Sequence, residues 1–198
     1  MKAVMLIVSA ASVVLVTVIP PIATVEDPFS AASTASHVVH GSNERSHEQI
    51  AHADAAFRVA GLELPDLEIH VHENYAGCNG FAGQFNRDGS GLRVDFCSGH
   101  SFTVLHEFAH VWEYHNVDDT TRDAFVELHG LETWRSRGVP WEERGVEVAA
   151  ETIAKGLLDR AFPEWQCDEV ELLDQGFRLL TGRQSPRFVA GRLNCGAS

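Results

Sequence analysis

The chain is short of positive charge and of cysteine. Only 15 lysines and arginines stand against 28 acidic residues, a formal net charge of −13. The acidic excess is spread along the chain without long blocks, which argues against nucleic acid or an anionic lipid surface as the main partner. No internal repeat or low-complexity tract is present. The four cysteines include no CxxC or similarly close pair, so a cysteine zinc site is a weak reading. An even number of cysteines behind an export segment reads instead as two disulfides. Three connectivities are open. Nearest-neighbour pairing, Cys78 with Cys97 and Cys167 with Cys195, is favoured because each pair brackets a compact piece of predicted structure.

Charge is also missing from the N-terminus, where nothing ionisable follows Lys2 until Glu26. The apolar stretch from Ala3 to Ile19, ended by Pro20 and Pro21, predicts a signal segment over residues 1–25. If retained, the uncharged stretch is long enough to anchor the chain in a membrane, although its serines, threonines and prolines favour removal. Either outcome places the rest of the chain outside the cytoplasm. Residues 26–43 are rich in Ser, Ala, Thr and Pro and lack apolar periodicity, so they read as a linker or pro-segment. Residues 44–198, about 155 in number, suffice for one domain with a single core.

Within that domain, Ile50, Ala53, Phe57 and Ala60 recur at helical spacing before Gly61. Leu67, Ile69 and Val71 alternate with polar residues as a half-buried strand. A turn through Asn74 and Gly77 leads to Phe81–Phe85, a hairpin turn at 86–89 follows, and Leu92, Val94 and Phe96 alternate as the next strand. Helices are predicted over 101–115, over 118–128 with a capping box from Thr120 and Asp123, from Pro140 to Leu158, and over 170–180.

The helix over 101–115 carries His106-Glu107-Phe108-Ala109-His110. Positions i and i+4 lie one turn apart on one face, so His106 and His110 can aim imidazole nitrogens at one metal ion. Glu107, rotated about 100° from His106, falls beside a metal-bound water rather than on the metal. Zinc held by neutral histidines lowers the pKa of such a water to about 7, and Glu107 can then act as general base. Phe102, Leu105, Phe108, Ala109, Val111 and Trp112 make the helix apolar almost all round, as a buried helix is. Polar groups inside such a helix need partners, and a metal supplies them.

This HExxH helix resembles the active-site helix of the zincin metallopeptidases. The metzincin pattern would need Gly at 113 and His at 116, where this chain has Glu113 and Asn116, so that class fails. Glu147-Val148-Ala149-Ala150-Glu151 is similar to the downstream helix of the gluzincins. That resemblance implies zinc held by His106, His110 and Glu147, with Glu151 accepting a hydrogen bond from a ligand histidine; exchanged roles for the two glutamates stay open. The residues themselves place Glu147 and Glu151 beside the buried face formed by Val146, Ala149, Ala150, Ile153, Ala154 and Leu157. More loosely, Cys78–Phe85, Val94–Cys97, Val104–Trp112 and Trp141–Leu158 resemble small secreted actinobacterial metallopeptidases, a likeness that implies no substrate. The oxyanion-stabilising Tyr or His of the family has no assignable match; Tyr75, Tyr114, His115 and His129 remain open. His70 and His72, at i and i+2 on a strand, have a metal-binding spacing but read as surface histidines. His37, His40, His47, His52 and His100 suggest no site.

These readings together predict an α+β, minimal zincin-like domain. Its small, mainly antiparallel sheet should pack on the HExxH helix, with a helical part following. The expected function is that of an exported, disulfide-bonded zinc peptidase with one Zn2+ per chain and peptide or protein substrates. The alternative is a zinc-binding interaction domain that keeps the scaffold without the chemistry.

Overall fold

The computed structural model describes residues 36–41, 44–88, 91–97, 100–158 and 167–189. The expected signal segment (1–25), most of the 26–43 linker, and Cys195 lie outside the described residues, as does the side chain of Cys167. The fold is α+β. In chain order the elements are β1 (His37–His40), α1 (Glu44–Val59), β2 (Leu67–Val71), β3 (Gly83–Asp88), β4 (Gly91–Phe96), α2 (Ser101–Asn116), α3 (Asp119–Leu128), α4 (Gly145–Leu157), α5 (Cys167–Thr181) and α6 (Pro186–Val189). Single 3-10 turns cover Tyr75–Cys78 and Trp141–Glu143.

The four strands form one sheet in the order β1-β2-β4-β3. The sheet is mixed rather than mainly antiparallel. β1 runs parallel to β2, β2 runs parallel to β4, and only β3 and β4 form the expected antiparallel hairpin. The alternation of side chains shows which residues share a face, but strand direction depends on non-local pairing that alternation does not encode. Strand β1 lies inside the stretch read as linker. It is four residues long, and its inward-facing His37 and Val39 supply too little apolar pattern to mark a strand.

One face of the sheet meets the helices. Leu67 and Ile69 of β2, Val94 and Phe96 of β4, and Ile50, Ala53 and Phe57 of α1 are buried against α2 as one core. Helix α2 is buried from Val104 to Glu113, because the sheet and α1 cover one side and α4 covers the other. Ala149, Ala150 and Ala154 are fully buried, and such small side chains allow the close approach of α4 to α2. Helix α4 begins at Gly145 rather than at Pro140. Pro140 instead caps the 3-10 turn, and the first α4 amides donate to segment 133–134: Gly145 N–H to Thr133 O and Val146 N–H to Trp134 O, both at 3.0 Å. A Cβ at position 145 would lie 2.9 Å from the Trp134 ring, so glycine is needed for that crossing. Asp118 caps α3 by accepting the Thr121 amide at 2.8 Å, in place of the box expected from Thr120.

The Cys78–Cys97 disulfide is formed, with Cα atoms 6.0 Å apart. It ties the turn that leads into β3 to the end of β4, just ahead of α2. Among the described residues no helix is long and apolar enough to cross a membrane.

The outer face of the sheet is polar, and among the described residues Asp95 is its one deeply buried carboxylate. Its oxygens accept from His72 Nε2 at 2.7 Å, Asn86 Nδ2 at 2.7 Å and Arg93 Nε at 3.0 Å. Burial alone would raise its pKa, but the His72 contact, the Arg93 charge and hydrogen bond and the Asn86 amide together hold it below its ordinary value. A carboxyl whose folded pKa is depressed stabilises the fold above its unfolded value of about 3.9, and that contribution disappears as pH falls through the folded value. Asp95→Asn is therefore expected to cost on the order of 2 kcal/mol near neutrality. The gap between wild type and variant should narrow in denaturant titrations below about pH 4; a gap that stays constant from pH 7 to pH 3 would contradict the account.

Candidate metal centre

Helix α2 and the first turn of α4 bring three ligand atoms together. His106, one turn before His110, is buried with it, and the two rings stand perpendicular with centroids 4.7 Å apart. Glu147 enters from α4. Its Oε2 lies 3.0 Å from His110 Nε2 and 3.4 Å from His106 Nε2, and one ligand atom from each of the three residues lies within 4.8 Å of the others. Tetrahedral zinc with bonds of about 2.0–2.1 Å holds its ligand atoms roughly 3.3 Å apart, close to the separations seen here. The buried His106 ring makes no close hydrogen bond: Nδ1 has no partner and Nε2 has only the Glu147 oxygen at 3.4 Å, a costly arrangement for an imidazole unless something binds it. Two imidazoles and a carboxylate are a donor set that zinc accepts. The residues fit the ion.

The electrostatics point the same way. Burial by itself would raise the Glu147 pKa, but hydrogen bonds and charge from His106 and His110 outweigh it and hold the carboxyl at about 2. For His110 burial would favour the neutral ring, yet Glu113, Glu147 and Glu107 push its pKa up to about 9. The carboxylate field that retains a proton on His110 favours any cation at that position.

Glu107 is buried beside the two histidines and its pKa is raised, with burial as the largest cause. It accepts the backbone N–H of Phe85 from β3. At Gly83, also in β3, an added Cβ would lie 2.7 Å from Glu107 Cγ and Oε1. The edge strand thus presses directly on this carboxylate, and position 83 admits no side chain without moving it. A cleft of about 320 Å³ opens here, lined by Gly83, Phe85, Glu107, His110, Trp141 and Glu147 among others. Trp141 is half exposed at its edge, with its ring 6.0 Å from that of His106.

The structure thus brings His106, Glu107, His110 and Glu147 together. Glu151 stays apart. Its side chain is about half exposed and pairs with Lys155 on α4, because one turn beyond Glu147 the helix has already passed the histidines. The carboxylate behind His110 is Glu113, fully buried, with Oε1 4.0 Å from His110 Nδ1 and accepting from Arg135 Nη2 at 3.0 Å. Glu113 and Arg135 were not legible as site residues. The available signal was a glutamate three residues after His110 on a helix apolar all round, where any charge must find a partner. Of the open oxyanion candidates, none lines the cleft among the described residues. Tyr114 stacks beneath Arg87 at 4.6 Å, His129 lies on Phe125, and Tyr75 is exposed. The disulfide Cys78–Cys97 lies where expected.

No protein-family model, curated protein or solved structure matches the chain.

Zinc competition with a chromophoric chelator tests the arrangement. Glu147→Ala should remove tight binding. Glu113→Ala should weaken it about 10–100-fold, the scale of a partner that orients a ligand, and Glu151→Ala should leave it unchanged. A larger loss at Glu151 than at Glu147 would place the ligand one turn further along α4.

Proposed function

We propose that this protein is an exported zinc-dependent peptidase, with His106, His110 and Glu147 holding the ion and Glu107 moving the proton. The observation that carries this reading is the buried Glu107 carboxylate. It lies beside the two histidines, faces the cleft, and is not among the three residues whose ligand atoms converge. A purely structural zinc site has no need of such a base. Zinc bound at this position would supply Lewis acidity, acidifying water and polarising a carbonyl.

The residues of the chain account for the rest. Glu107 takes a proton from the attacking water and returns it to the leaving nitrogen, and burial gives it the raised proton affinity both transfers need. The Phe85 N–H and the close approach of Gly83 fix the carboxylate in place. Glu113 lies on the Nδ1 side of His110, which leaves Nε2 for the ion. Strand β3 ends the sheet, and its residues Gly83, Gln84, Phe85 and Arg87 line the cleft. An extended peptide can dock on such an edge through backbone hydrogen bonds, which supports a peptide as substrate. The Cys78–Cys97 disulfide suits an oxidising compartment, in keeping with the export expected from the N-terminal segment.

Glu107→Gln keeps size and hydrogen bonding but cannot accept a proton. It should bind zinc as wild type does while cleavage of a diverse peptide library falls at least about a hundredfold. Gly83→Ala should act in the same direction by displacing Glu107, again with zinc retained. A zinc-loaded wild type that cleaves nothing, or a Glu107→Gln variant of undiminished activity, would overturn the peptidase reading; the first result would favour a zinc-binding interaction domain.

A further inference from the structure

The polar face of the sheet, opposite the helices, carries a second convergence of metal-binding groups. In the parallel pairing of β1 with β2, His40 stands directly opposite His70, and their rings lie 4.6 Å apart. Glu68 precedes His70 by two residues on the same face, with Oε2 3.5 Å from His70 Nε2. One ligand atom from each of His40, Glu68 and His70 lies within 4.8 Å of the others, the same closeness found for His106, His110 and Glu147. The next histidine along the strand, His72, stacks 6.4 Å from His70 but has its Nε2 committed to Asp95.

We propose that His40, Glu68 and His70 form a second site for a divalent transition-metal ion, which fastens the N-terminal strand to the sheet. The donors are two imidazoles and one carboxylate. Imidazole suits zinc, copper(II) and nickel, whereas magnesium and calcium require oxygen donors. Glu68 and His70 come from β2 and His40 from β1, so the full donor set exists only while β1 is paired. Binding of the ion is therefore linked to docking of the strand. That linkage matters because β1 is short, lies at an edge of the sheet and pairs in parallel, the less stable arrangement per residue. Its inward side chains reach the core: Val39 packs against it, and the His37 ring lies 5.9 Å from Phe108, the residue between the two halves of the HExxH motif. An ion on the outer face would hold these contacts in place from behind.

The test is independent of any peptidase activity. Zinc bound per chain is measured by equilibrium dialysis and elemental analysis, and hydrogen exchange of the 37–40 amides is followed across the same titration. His40→Gln, at an exposed position, should lower the stoichiometry by one equivalent relative to wild type; His70→Gln should do the same. Combining His40→Gln with His110→Ala should remove a further equivalent. In wild type the equivalent that these variants lack should slow exchange at 37–40, and in His40→Gln zinc should leave that exchange unchanged. Equal stoichiometry in wild type, His40→Gln and His70→Gln would overturn the site. Loss of an equivalent without any effect on exchange at 37–40 would overturn its role in fastening β1.

Discussion

Helix α2 takes four ionisable side chains out of water along about two turns. His106, Glu107, His110 and Glu113 are all buried, and a buried charge without a partner costs several kcal/mol. Each must be answered by a group brought from elsewhere, and the answers come from three separate segments. Glu147 on α4 faces both histidines, Arg135 before the 3-10 turn reaches Glu113, and the β3 backbone donates to Glu107. The groups that build the candidate metal centre are thus also the groups that make this helix tolerable as a core element. His106 is answered least, its Nε2 having only Glu147 Oε2 at 3.4 Å, and a cation at that nitrogen would complete the set.

The surrounding fold serves the same requirement. Small residues on α4 let it approach α2 closely enough for Glu147 to reach, and Gly145 lets the start of α4 cross Trp134. On the other side Gly83 lets the edge strand descend onto Glu107, while the disulfide secures the segment leading into that strand. The sheet is therefore more than a support for α2. One edge forms a wall of the cleft, and its far face carries the Asp95 network and the histidine cluster.

Much of this was legible locally. The four-residue spacing of His106 and His110 needs only helix geometry, and the alternation in β2 and β4 revealed which residues face the core. What could not be read depends on partners distant in sequence. Parallel pairing of β2 with β4 leaves no local trace, and β1 becomes a strand only because β2 offers it an edge. Glu147 and Glu151 are alike in composition and spacing. Where α4 crosses α2 decides between them, and the same crossing leaves Glu113, on α2 itself, as the carboxylate behind His110. The start of α4 was displaced from Pro140 to Gly145 because its first amides are satisfied by residues 133–134.

The central claim is that one zinc ion joins α2 to α4 through two histidines and one glutamate. Crystals of the zinc-loaded chain, with diffraction recorded on both sides of the zinc absorption edge, address it without reference to activity. The account predicts an anomalous peak within bonding distance, about 2.0–2.2 Å, of His106, His110 and Glu147, with Glu107 outside that distance. A zinc-loaded crystal with no peak between these three side chains, or with Glu147 turned away from it, would contradict the account.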